Sequence, residues 1–251
     1  MTSRALPVGT VPENVRAVSF AHTPIRVCLD GVVDDTMMTN ARACFNQVRR
    51  GRQPVVVVEI NSYGGSVDSG ELIVMMMDQC KRENIIVCTY VPVHAESMGA
   101  YIFSCGTPQF RFIGPDACIM IHEARRTSVS TRTVKASDHA VDARSLAATS
   151  SRLLKKMSRN AGHGESYFDD MLVANRNVDL ELIGQRAVET NIADRVVTSV
   201  PNASVHISLA FRFGNLEFRT DDGRDYGITT EESQQRRCTD SHRLVGPEYN
   251  T

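Results

Sequence analysis

Apolar positions along this 251-residue chain alternate between unbroken runs and a spacing of three to four. Ile25-Arg26-Val27-Cys28-Leu29, ended by Asp30-Gly31, predicts a first strand. Met38, Ala41, Phe45 and Val48 then recur at helical spacing and predict a helix over 35–49, with Asp34 or Asp35 as its N-cap. The β-branched run of residues 55–60, preceded by Pro54, predicts a strand buried on both faces, as in a parallel sheet. A glycine turn is expected over 61–66. Leu72, Ile73, Met76 and Cys80 then mark a second amphipathic helix, and Met75-Met76-Met77 reads as core filling.

Residues 85–90 predict the next strand, 98–104 a short helix, and 110–113 and 118–121 two short strands. Residues 124–135 are polar, and Arg125, Arg126, Arg132 and Lys135 read as a solvated loop. The longest helix is predicted over 137–159, capped by Ser137 and stopped by Ala161-Gly162-His163-Gly164. Val141, Leu146, Leu153, Leu154 and Met157 line one of its sides. A short helix near 166–174, a helix near 181–190 and a last strand over 193–197 complete the pattern. Strands alternating with helices predict an α/β fold with right-handed crossovers.

The texture changes beyond Pro201. Residues 205–213 alternate like a strand, Gly214-Asn215 can turn, and 216–219 return, predicting a hairpin; from Thr220 the chain is polar and reads as a flexible tail. Residues 1–24 carry Pro7, Pro12 and Pro24 and read as an arm. The expected organisation is therefore an arm (1–24), an α/β domain (25–199) and an extension (200–251).

Composition narrows the function classes. A formal net charge of −1 gives no electrostatic case for nucleic acid or an anionic membrane surface. No apolar run approaches the ~20 residues of a membrane span, and the N-terminus lacks a signal-peptide core, so a soluble cytoplasmic protein is expected. Seven Cys, with no C-x-x-C pair and mostly inside apolar runs, read as buried thiols in a reducing compartment. No Cys or His cluster shows metal spacing.

Candidate chemistry lies in His94-Ala95-Glu96-Ser97-Met98-Gly99-Ala100 and Ile119-Met120-Ile121-His122. A serine follows an apolar strand in a run of small residues, and a histidine follows one strand later. Serine needs a base to become a nucleophile, and histidine is the usual base. With Glu59-Ile60-Asn61-Ser62-Tyr63-Gly64-Gly65-Ser66, these blocks are similar to the I-N-S-P-G-G, A-A-S-M-G/A and V-M-I-H motifs of the ClpP family of serine peptidases, within the ClpP/crotonase superfamily. The resemblance spans residues 25 to 197.

The resemblance implies a ClpP/crotonase-like fold of repeated β-β-α units, with 137–159 as a protruding handle helix. It implies Ser97 as nucleophile, His122 as general base, and the N–H groups of Gly65 and Met98 as the oxyanion hole. Counting back from Ala187-Val188-Glu189-Thr190-Asn191-Ile192-Ala193-Asp194 puts the family's third residue on Asp179, which also fits a helix N-cap before Leu180. It implies an ATP-dependent Clp protease proteolytic subunit-like serine endopeptidase, acting on unfolded proteins inside stacked, heptameric rings. No cofactor is implied in the chain itself; ATP would enter only through a partner AAA+ unfoldase. Residues 123–134 would hold the peptide by edge pairing.

Departures from the motifs are Tyr63 for proline, Glu96 for a small residue and Val93 for glycine; Glu96 reads as outward and His94 as incidental. Two other function classes fit the chain: a catalytically weak structural subunit of a mixed ring, and a crotonase-type acyl-CoA enzyme.

Overall fold

The computed structural model describes residues 20–22, 24–125, 136–176, 178–198, 205–207, 215–219 and 225–229. In chain order the elements begin with β1 (Phe20–His22), β2 (Ile25–Val33), α1 (Asp35–Arg50), β3 (Val55–Gly65), α2 (Val67–Arg82), β4 (Ile86–Val91) and β5 (His94–Glu96). They continue with α3 (Met98–Ser104), β6 (Arg111–Ile113), β7 (Cys118–Ile121), α4 (Ala136–Asn160), α5 (Tyr167–Ala174) and β8 (Leu180–Ile183). Last come α6 (Gln185–Glu189), β9 (Arg195–Val196), β10 (Val205–Ile207), β11 (Asn215–Arg219) and β12 (Asp225–Thr229). The chain divides into two compact units, Pro24–Val200 and a smaller one of Met1–Thr23 with Pro201–Thr251.

The larger unit is built on an eight-stranded sheet of order β8-β7-β5-β3-β4-β6-β9, with β2 paired to β3. All its pairings are parallel except β7 with β8. The eleven-residue β3 is shared: Val55–Glu59 pair with β4, and Ser62 pairs with Ala95 of β5. Val55, Val56, Val57 and Val58 are fully buried, as their unbroken β-branched run predicts for a strand covered on both faces. Phe45 of α1, Ile73 and Met77 of α2, and Ile102 and Phe103 of α3 pack into one core with Leu29 and Ile60. Each such burial stabilises the fold by roughly 1.5–3 kcal/mol.

Asp34 caps α1, accepting from the Met37 N–H at 2.8 Å. Arg111, 4% exposed, forks onto Asp194 (Nη2–Oδ1 2.7 Å, Nε–Oδ2 2.9 Å) and donates to the Asn160 carbonyl, tying β6 to the segment before β9 and to the end of α4. Residues 141–149 of α4 are largely exposed, while Leu154, Met157 and Ser158 are buried in its second half. No described helix is long and apolar enough to cross a membrane, and the described residues contain no metal-binding group of His, Cys, Asp and Glu.

Several expectations change. The strand at 55 does not stop before the glycines but runs through Gly65, because its end pairs with β2 at Val33. Residues 180–183 form a strand rather than the start of a helix: Leu182 is buried between the exposed Glu181 and Ile183, and the segment lies antiparallel on β7. Asp179 therefore caps no helix. Ser137 falls inside the first turn of α4, which starts at Ala136. Met76 and Met77 are buried, but Met75 is 55% exposed. Cys80, Cys88 and Cys105 are buried, Cys44 and Cys118 half-buried, and Cys28 exposed.

In the smaller unit four strands pair antiparallel in the order β1-β10-β11-β12. The hairpin partners are thus β10 and β11. Part of the expected flexible tail is strand, since Asp225–Thr229 pairs with β11. The turn at Gly214, most of the arm and the chain beyond 229 lie outside the described residues.

Candidate active site

Ser97 sits between β5 and α3 with φ 53° and ψ −115°, a conformation that costs a non-glycine residue about 1–3 kcal/mol. The surrounding backbone imposes it. Its N–H donates to the Met120 carbonyl at 2.8 Å, continuing the parallel β5–β7 ladder one residue past Glu96–Met120. Its carbonyl accepts the first-turn bond of α3 from Tyr101.

The end of β3 passes beneath the serine because it has no side chain. A Cβ on Gly64 would lie 2.7 Å from Ser97 Cβ and 3.0 Å from the Met98 nitrogen. A Cβ on Gly65, at φ +150°, would lie 2.4 Å from the Val33 carbonyl. Ser62, fully buried, pins this turn: its hydroxyl donates to the Gly31 carbonyl at 2.5 Å and accepts the Gly64 N–H at 3.1 Å. Sequence reasoning did not single out Ser62; the signal was a hydroxyl two residues before a Gly-Gly pair.

A cleft of about 70 Å³ brings Ser97, Met98 and Gly65 together with His122. Val67, Tyr101, Ile121, Leu153, Leu154 and Met157 give it an apolar wall. Burial pushes the Tyr101 phenol well above its ordinary value, so it stays neutral, and Lys156 Nζ lies 5.6 Å from its ring centre. Ala124 and Arg125 complete the lining.

Asp179 does not line this cleft, although the backbone brings it near. In the antiparallel β7–β8 pair Ile121 faces Leu180, so His122 and Asp179 face each other one step beyond the ladder. Their side chains have other partners. His122 Nδ1 contacts the carbonyl of Glu123, and the Asp179 carboxylate is ion-paired with Arg125. Among the described residues no hydrogen bond joins Ser97 to His122 or His122 to Asp179. Arg125 is thus a site residue that the sequence assigned to a solvated loop; the rest of that loop, 126–135, lies outside the described residues. His94 stacks on Tyr63 at 4.1 Å between ring centres, away from the cleft lining. Glu96 is half-buried on β5.

The Clp protease family model matches residues 15–200. The chain belongs to the Clp protease family. It is similar to the ATP-dependent Clp protease proteolytic subunit 1 of Chlamydia muridarum, 32% identical over 147 residues, covering 59% of this chain and 71% of the relative. The corresponding subunit 1 of Protochlamydia amoebophila is 31% identical over 147 residues, covering 59% of this chain and 66% of the relative. Subunit 2 of Prochlorococcus marinus is 31% identical over 143 residues, covering 57% of this chain and 66% of the relative. As a Clp protease family member the chain has the α/β architecture expected from its motifs.

Proposed function

We propose that this Clp protease family member is a serine endopeptidase, the proteolytic subunit of an ATP-dependent protease. The observation that carries the reading is the cleft that gathers Ser97, Gly65, Met98 and His122. His122 takes the Ser97 proton as the serine attacks the peptide carbonyl, and later returns it to the leaving amine. Asp179 turns toward His122 and holds the ring in the tautomer this transfer needs. The oxyanion is received by the N–H groups of Gly65 and Met98, each such donor being worth about 10²–10³ in turnover. Water then releases the acyl group with His122 again as base.

Substrates in this reading are unfolded chains that present an apolar side chain to the wall of Val67, Tyr101 and Leu154. The chain assembles into stacked rings around a chamber, with α4 between rings. It needs no cofactor of its own and receives ATP-driven substrate from a AAA+ partner. The test is a fluorophosphonate probe on the assembled protein, beside Ser97→Ala and His122→Ala, with the adduct mapped by mass spectrometry. Labelling at Ser97 that is lost in both variants supports the reading. Absence of labelling in a folded, assembled wild type favours a catalytically weak structural subunit, a reading that the Arg125–Asp179 pair keeps in play.

A further inference from the structure

We propose that Arg125 is a latch on the catalytic carboxylate, opened by an acidic residue of the substrate. The inference rests on the serine peptidase reading and deepens it. Arg125 stands in two places at once: it lines the cleft with Ser97 and His122, and its guanidinium holds the Asp179 carboxylate. It is the one permanently charged side chain among the described residues lining that cleft. While it holds Asp179, the carboxylate that faces His122 across the strand ends is committed elsewhere.

The two partners differ in how firmly they are fixed. The Asp179 carbonyl accepts from Asn175 Nδ2 at 3.3 Å, and Leu180 enters the ladder immediately afterwards. Arg125 lies beyond the end of β7, anchored one residue earlier where the Ala124 N–H donates to Ser150 Oγ at 2.6 Å. Its side chain is 64% exposed, against 31% for Asp179. An exposed pair of this kind is weak enough for a second carboxylate to compete. A Glu or Asp beside the apolar residue seated in the cleft draws the guanidinium off, pairs with it, and leaves Asp179 free to turn to His122. The substrate thereby contributes a contact and completes the site in one event. Arg125 acts as a positioning and specificity residue.

The experiment uses two fluorogenic peptides with the same apolar residue at the cleaved bond, differing only in Glu or Gln beside it. They are tested on wild type, Arg125→Gln and Arg125→Lys, with fluorophosphonate labelling rates measured in parallel. The expected wild-type preference for the Glu peptide is about fivefold, expressed in kcat, the scale that one exposed ion pair supports. In Arg125→Gln the preference disappears, and both the Gln-peptide rate and the labelling rate of Ser97 rise by a similar factor. Arg125→Lys keeps part of the preference. Equal wild-type rates, a preference that survives Arg125→Gln, or a labelling rate unchanged in that variant overturns the latch alone. No labelling of Ser97 in any of the three proteins overturns the peptidase reading, and the latch with it.

Discussion

The two halves of the candidate active site are held in different ways. On one side, Ser97, Gly64 and Gly65 are fixed by backbone: a ladder bond to Met120, a buried hydroxyl at Ser62, and contacts with no space for a Cβ. On the other, His122 and Asp179 share a register but are half-exposed, and each side chain is engaged by a neighbour. The nucleophile half is preorganised, and reorganising it would mean breaking the sheet. The base half is decided by side-chain rotations among weak surface pairs, and there activity can be adjusted at low cost.

The largest expected effect is at Ser97. In the active assembly Ser97→Ala should lower peptide turnover by about 10⁶ while leaving the melting temperature unchanged or raised, since it removes the reacting oxygen and not the backbone bonds. Turnover within tenfold of wild type would remove the preorganised half from the chemistry. Arg111→Ala sharpens the comparison by separating frame from site. It leaves the half-buried Asp194 carboxylate with the Arg111 backbone N–H, at 2.9 Å, but without the guanidinium, and should cost about 3 kcal/mol in urea unfolding. A loss below about 1 kcal/mol would show that the buried pair does not hold the frame.

Gly64→Ala comes next. The added methyl pushes on Ser97 Cβ and the Met98 nitrogen, so turnover should fall about 10²–10³, in kcat more than in KM. An unchanged kcat would mean that the nucleophile half is as adjustable as the base half. The smallest effect concerns the frame alone. Burial pushes the Cys80 thiol up to about 11, from 9.0. Between those values the folded chain keeps a proton that the unfolded chain has lost, so stability falls as pH rises through that window. Urea midpoints at pH 8.5 and 10.5 should show a fall that is shallower in Cys80→Ala.

What was legible in the sequence follows the same division. The unbroken valines of β3, the helical spacing of Met38, Ala41, Phe45 and Val48, and the Gly64-Gly65 pair announce local structure that local forces decide. The four-residue β8 was hidden because Leu180, Ile183 and Ala187 also fall at helical spacing; only pairing with β7 decides for the strand. The Arg125–Asp179 and Arg111–Asp194 pairs join residues 54 and 83 positions apart. No periodicity encodes such partners, and the arginines read simply as charge on a loop and polarity in a strand.

The Ser97 turn also bears on the time before folding is complete. Its amide waits for Met120, and His122 follows on the far side of β7. These segments are distant in sequence and meet through parallel pairing, which forms late. A growing chain on the ribosome thus carries its serine for many residues without a base or a formed oxyanion cradle. In the peptidase reading, the order of the strands alone keeps an unfinished molecule from cutting its neighbours.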